Sequence, residues 1–77
     1  MAKKHVSDQI LLTFGNKIRK LRTKLKVSQE ELAYLAGIHR TDMSSTERGE
    51  RNVAILNIVR IAKALKVTPS ELLSDLK

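Results

Sequence analysis

Cysteine and tryptophan are absent from this 77-residue chain, proline occurs once, and Phe14 and Tyr34 are its only aromatic residues. Without cysteine there is no disulfide framework and no thiolate metal site. The two histidines, His5 and His39, stand far apart and offer no metal-ligand spacing. Long apolar runs are lacking too. Ile10-Leu11-Leu12 is the cluster that follows the basic N-terminus, against about 7–15 residues for a signal-peptide core and about 18 for a membrane span. These absences lead us to expect a soluble, cytoplasmic protein with no cofactor and no membrane partner. Catalysis is not expected: His39 is the one candidate base, Ser44 and Ser45 have no histidine at helical spacing, and no Gly-rich phosphate loop is present. A chain of this length forms one domain, spanning 1–77, and buries only about 60–65% of its unfolded surface. It therefore needs very regular helix packing or a partner subunit.

Acidic residues are scarce in one place. The formal net charge is +7, and residues 1–26 hold Lys3, Lys4, Lys17, Arg19, Lys20, Arg22, Lys24 and Lys26 against Asp8 alone. Residues 27–77 balance to zero, so the excess is one-sided. Such a field attracts phosphate whatever the nucleic-acid sequence, although a solvated helix face would look the same.

What is present reads as all helix. Phe14, Ile18, Leu21 and Leu25 recur at i, i+4, i+7 and i+11, which predicts a helix over about 8–25 capped by Ser7 or Asp8. Lys17, Arg19, Lys20, Arg22 and Lys24 are expected on its outer faces. Ser28-Gln29-Glu30-Glu31 is a capping box, with Val27 and Leu32 as its hydrophobic staple. The segment Leu25–Leu32 is echoed at Leu65–Leu72, where Thr68 caps, Pro69 takes the first helical position and Glu71 closes the box. We read one helix-to-helix corner used twice rather than a duplicated domain. The remaining helices are expected at 29–36, 40–48 (with His39 as cap and Gly49 as left-handed stop), 55–65 and 69–76.

Two short helices pivoting on Gly37 match the geometry of a helix-turn-helix, with Leu32, Ala36, Ile38 and Met43 sharing one core and Ala33 small at the close approach. A helical hairpin with a glycine turn would share that spacing. The third helix adds to it: Arg40, Thr41, Ser44, Ser45 and Arg48 face away from Ile38 and Met43, and they are not expected to pair with one another. A guanidinium forks onto guanine, and hydroxyls meet base edges or phosphates. The run Thr-Asp-Met-Ser-Ser-Thr is poor helix material for an ordinary solvated face, which favours readout of DNA. RNA is the weaker alternative, because neither Phe14 nor Tyr34 is expected on an exposed stacking platform.

Ser28-Gln29-Glu30-Glu31-Leu32-Ala33, then Arg40-Thr41, then Glu47-Arg48-Gly49-Glu50-Arg51-Asn52 resembles the Cro and phage-repressor-like helix-turn-helix family over about residues 10–74. Within it, the chain most resembles the controller proteins of restriction–modification systems. The resemblance implies a five-helix, lambda-repressor-like domain, double-stranded DNA as partner, dimers on palindromic operators and no enzymatic activity. It implies a phosphate contact by Gln29, base contacts by Arg40, Thr41 and Ser44, and contacts to bases or backbone from Arg51 and Asn52. Ser45 and Arg48 are added to the base-facing set, and Lys20 and Lys24 to the phosphate-facing one. Departures from the pattern are Asp42, where an aromatic residue is frequent, Thr46, in place of an apolar residue, and Lys26 and Lys66, where glycine often follows a helix. Asp42 is expected to complement the helix N-terminus or to accept from Arg40 or a cytosine amino group.

The fourth helix carries more apolar surface than a monomer needs. Ile55, Ile58, Val59, Ile61, Ala62 and Leu65 cover an arc of roughly 160°, with Leu56 outside it. Leu72, Leu73 and Leu76 add to it. A thin core could absorb all of this; the alternative is a homodimer interface formed by Ile55, Ile58, Leu72, Leu73 and Leu76. An antitoxin-type repressor or a protein-interaction module of the same fold remains the competing reading.

Overall fold

The computed structural model describes residues 6–76, with side chains from residue 8 onward. The basic Lys3 and Lys4, His5 and the side chain of Ser7 lie outside the described residues. Among the described residues five helices follow one another: α1 (Val6–Leu25), α2 (Gln29–Ala36), α3 (Arg40–Glu47), α4 (Ile55–Ala64) and α5 (Pro69–Leu72). Ser7 and Asp8 fall inside α1 rather than ahead of it, so neither is the cap expected from sequence. The last helix is a single turn, not the eight residues expected: Leu73 leaves helical geometry and a turn follows.

The helices close a ring. α1 packs on α3 and α5, α2 on α3 and α4, and α4 on α5. Phe14 and Ile18 from α1, Leu32, Ala33 and Ala36 from α2, Met43 from α3, Ile61, Ala62 and Leu65 from α4 and Leu72 from α5 fill its centre. Each fully buried Leu, Ile or Met there contributes about 1.5–3 kcal/mol relative to exposure.

Four helix ends share one hydrogen-bond pattern. At each, a left-handed residue donates to the carbonyl three positions back, and the next residue donates to the carbonyl five back. The pairs are Lys26 to Thr23 with Val27 to Arg22, Gly37 to Tyr34 with Ile38 to Ala33, Gly49 to Thr46 with Glu50 to Ser45, and Lys66 to Lys63 with Val67 to Ala62. The φ values are 61°, 69°, 73° and 64° in that order. The two lysines that depart from the family's usual glycine therefore do take the left-handed conformation. The Ser28 capping box is complete in both directions. At Thr68 only half of it forms: its hydroxyl accepts from the Glu71 N–H at 3.0 Å, and Glu71 does not return the bond.

Gly15 was not singled out in the sequence, yet it sets how closely α1 crosses the end of α3. A Cβ there would lie 2.4 Å from the Glu47 carbonyl oxygen and 2.7 Å from that of Thr46. Only glycine fits that crossing. It matters to function because it brings the basic helix against α3.

Candidate nucleic-acid interface

The turn between α2 and α3 is Gly37-Ile38-His39, and His39 caps α3 by accepting the Thr41 N–H on its Nδ1 at 3.4 Å, as expected. The cap orients α3 so that Met43 goes inward while Arg40, Thr41, Ser44 and Arg48 face out. These four, with Gln29 from the start of α2, line one shallow concave surface across the helix-turn-helix. It brings together guanidinium, hydroxyl and carboxamide groups, which suit base edges and phosphates.

Other expected contacts stand differently. Ser45 is half-buried and donates its hydroxyl hydrogen to the Thr41 carbonyl at 3.0 Å, so it enters the surface only as an acceptor. Arg51 and Asn52 are exposed in the loop after α3, and Lys20 and Lys24 are exposed on α1. The expectation that the α3 side chains are unpaired is corrected by the structure: Arg48 donates to the Ser44 hydroxyl. Each arginine of this face also has a carboxylate. Arg40 lies 3.6 Å from Glu30, Arg48 3.1 Å from Glu50 and Arg51 2.9 Å from Asp42. Such surface pairs are worth at most about 1 kcal/mol, so they leave the arginines within reach of DNA. Asp42 therefore accepts from Arg51 rather than Arg40. Thr46 is buried and donates to the Asp42 carbonyl at 2.7 Å, so its hydroxyl is satisfied inside the fold.

The support beneath this surface escaped the sequence reading. Glu47 is fully buried, and its carboxylate receives Arg22 Nε at 2.7 Å and Nη2 at 3.1 Å, with Gln29 Nε2 at 3.0 Å. Arg19 adds a charge at 3.5 Å. Burial pushes the Glu47 carboxyl upward, but the Arg22 and Gln29 hydrogen bonds and the two arginine charges outweigh it and hold the group below its usual value. Arg22 is thus not on the outer face of α1, and Gln29 gives one of its two amide hydrogens to Glu47, leaving the other for a phosphate. Lys17 is also turned in, 3.4 Å from Asp75. A signal existed: Arg22 lies four residues after Ile18, on the edge of the apolar stripe.

Away from this face the apolar surface is redistributed. Leu72 is 1% exposed and belongs to the core, and Ile58, Leu73 and Leu76 pack against it. Leu72 is therefore spent in the core, while Ile58, Leu73 and Leu76 are only partly buried and keep exposed surface of their own. Ile55 stays 76% exposed, and Leu56, which lay outside the expected arc, is 63% exposed beside Val59. Tyr34 is 84% exposed, contrary to expectation, but its surroundings are Glu30, Glu31 and Leu35 rather than cations. Carboxylates there repel a nucleic-acid backbone.

Comparison with known proteins bears on the family and the fold. A helix-turn-helix family model matches residues 18–72, and the chain belongs to that family as a DNA-binding transcription regulator. Its relatives place it among restriction–modification control proteins. The control protein C.BamHI of Bacillus amyloliquefaciens is 48% identical over 69 residues, covering 88% of this chain and 85% of that protein. The control protein C.MunI of a Mycoplasma species is 44% identical over 71 residues, covering 91% and 96%. The crystal structure of the restriction–modification controller protein C.AhdI from Aeromonas hydrophila superposes with a TM-score of 0.79 at 47% identity, over 80% of this chain and 94% of that one.

Proposed function

We propose that the protein acts as a homodimer on a palindromic operator, as the control protein of a restriction–modification system. The concave surface of Gln29, Arg40, Thr41, Ser44 and Arg48 carries this reading. At about 1.5 Å per residue, the eight residues of α3 extend about 12 Å, enough for three or four base pairs. A regulator that must find one site in a genome needs a longer footprint, and a two-fold axis supplies it. Two recognition helices about 34 Å apart would meet successive major grooves on one face of the duplex. Arg40, Thr41, Ser44 and Arg48 face the bases, Arg51 and Asn52 reach in from the loop, and Gln29, Lys20 and Lys24 hold phosphates. The dimer contact is built on Ile55, Leu56 and Val59 of α4. The protein works in the cytoplasm, needs no cofactor and performs no catalysis.

Selection of bound DNA from a random duplex pool at near-physiological salt tests the proposal. A palindrome with half-sites about 10 base pairs apart is the expected result. Recovery of no motif, with binding that vanishes as salt rises, would leave a protein-interaction module of the same fold as the better reading.

A further inference from the structure

The acids among the recognition arginines form a pattern that the family resemblance does not account for, least of all Asp42. Its side chain lies in the first turn of α3, and its Oδ1 is 2.9 Å from Arg51 Nη2. Of the three arginine–carboxylate pairs on this face, it is the shortest and its carboxylate is the least exposed. Arg51 itself stands in the non-helical stretch between α3 and α4, where its long side chain would otherwise swing freely. We propose that Asp42 is a specificity-determining residue that restrains Arg51, keeping its charge from arbitrary phosphates and presenting it in one orientation to the operator. The proposal rests on the reading of the α3 face as the DNA-reading surface.

Two physical facts support it. A guanidinium has five N–H donors in a planar fork, so an arginine that gives one to a carboxylate keeps four in a fixed plane for a base edge. Binding to random DNA, by contrast, is a matter of charge neutralisation. With seven net positive charges, this chain has strong generic attraction to any duplex. While paired, Arg51 and Asp42 are together neutral, so Arg51 neutralises an arbitrary phosphate only by giving up Asp42. At the operator, Arg51 reaches its base without leaving Asp42. The cost therefore falls on random DNA more than on the operator.

The test compares wild type, Asp42→Asn, Arg51→Met and the double variant on the pool-selected duplex and on a scrambled duplex of equal length, across a salt series. Thermal melts first establish that all four chains fold. Asp42→Asn is expected to bind the scrambled duplex about three- to fivefold more tightly, with a salt slope steeper by about one phosphate contact. Operator affinity rises less, so discrimination falls by up to that factor. In the Arg51→Met background, the same change leaves discrimination unaltered. Equal tightening on both duplexes, or loss of discrimination that persists without Arg51, overturns the proposal. If selection returns no motif, the regulator reading fails separately. The specificity role then fails with it, and the scrambled-duplex slopes alone show whether Asp42 restrains Arg51.

Discussion

The side chain of Glu47 has no exposed surface, and groups from two other helices converge on it: Arg22 and Arg19 from α1 and Gln29 from α2. Removing one partner of a buried pair leaves an uncompensated charge, which costs about 3–5 kcal/mol. Glu47→Ala is therefore expected to destabilise the chain by that amount in urea unfolding and to loosen Gln29 as well. The pH dependence has a definite sign. The folded carboxyl is held below its usual value, so its stabilisation is complete above the ordinary glutamate range, roughly pH 4.3, and is lost as pH falls through the lowered folded value. Glu47→Gln should flatten that acid limb in urea titrations. At the DNA face, Arg40→Ala is expected to weaken operator binding by about 1–3 kcal/mol and to relax preference at one base pair. Equal losses on operator and scrambled duplexes in a gel-shift titration would remove Arg40 from the reading set. The outward placement of Arg40 is legible because an arginine opening a short polar helix stands out in one dimension. Glu47 was not, because its partners come from positions 18 and more residues away in the chain.

At the scale of the element, the corner after α1 and the corner after α4 use the same left-handed stop as the two glycine ends, but with lysine. A left-handed L-residue costs roughly 1–2 kcal/mol, and the extra freedom of an unfolded glycine returns about 0.5–1 of that. Lys26→Gly and Lys66→Gly should each raise stability by up to about 1 kcal/mol, and the pair should add, since each corner closes its own hydrogen bonds. A drop in melting temperature would show that the lysine stem packs on its corner and matters more than the backbone. The repeated Leu-Lys-Val-Ser/Thr grammar made both corners readable. The end of α5 was misjudged because Leu72, Leu73 and Leu76 suit a helix or a turn equally when all three point toward one core.

For the whole molecule, the proposed dimer contact is the α4 patch of Ile55, Leu56 and Val59, which stays exposed while Ile61, Ala62 and Leu65 of the same stretch are buried. Leu56→Glu is expected to keep the helical spectrum while shifting sedimentation from dimer to monomer. Operator affinity should fall by more than about tenfold, because two linked half-sites bind far more tightly than one. The wild-type melting temperature should rise with protein concentration. A variant that still sediments as a dimer would move the interface elsewhere, the exposed Tyr34 and Leu35 being the next surface to test.

Local grammar determined a great deal here: periodicity, capping box, staple and glycine stops are all written within a few consecutive residues. So the all-helical fold, four of the five helices to within two residues at either end, and the polar face of α3 followed from the sequence by itself. Tertiary structure alone decided which leucines the core consumes, that Arg22 and Lys17 turn inward, and which acid meets which arginine. The physical reason is the same in each case. Burial and ion pairing depend on distances between segments far apart in the chain, and α1 meets α3 where Gly15 lets their backbones touch.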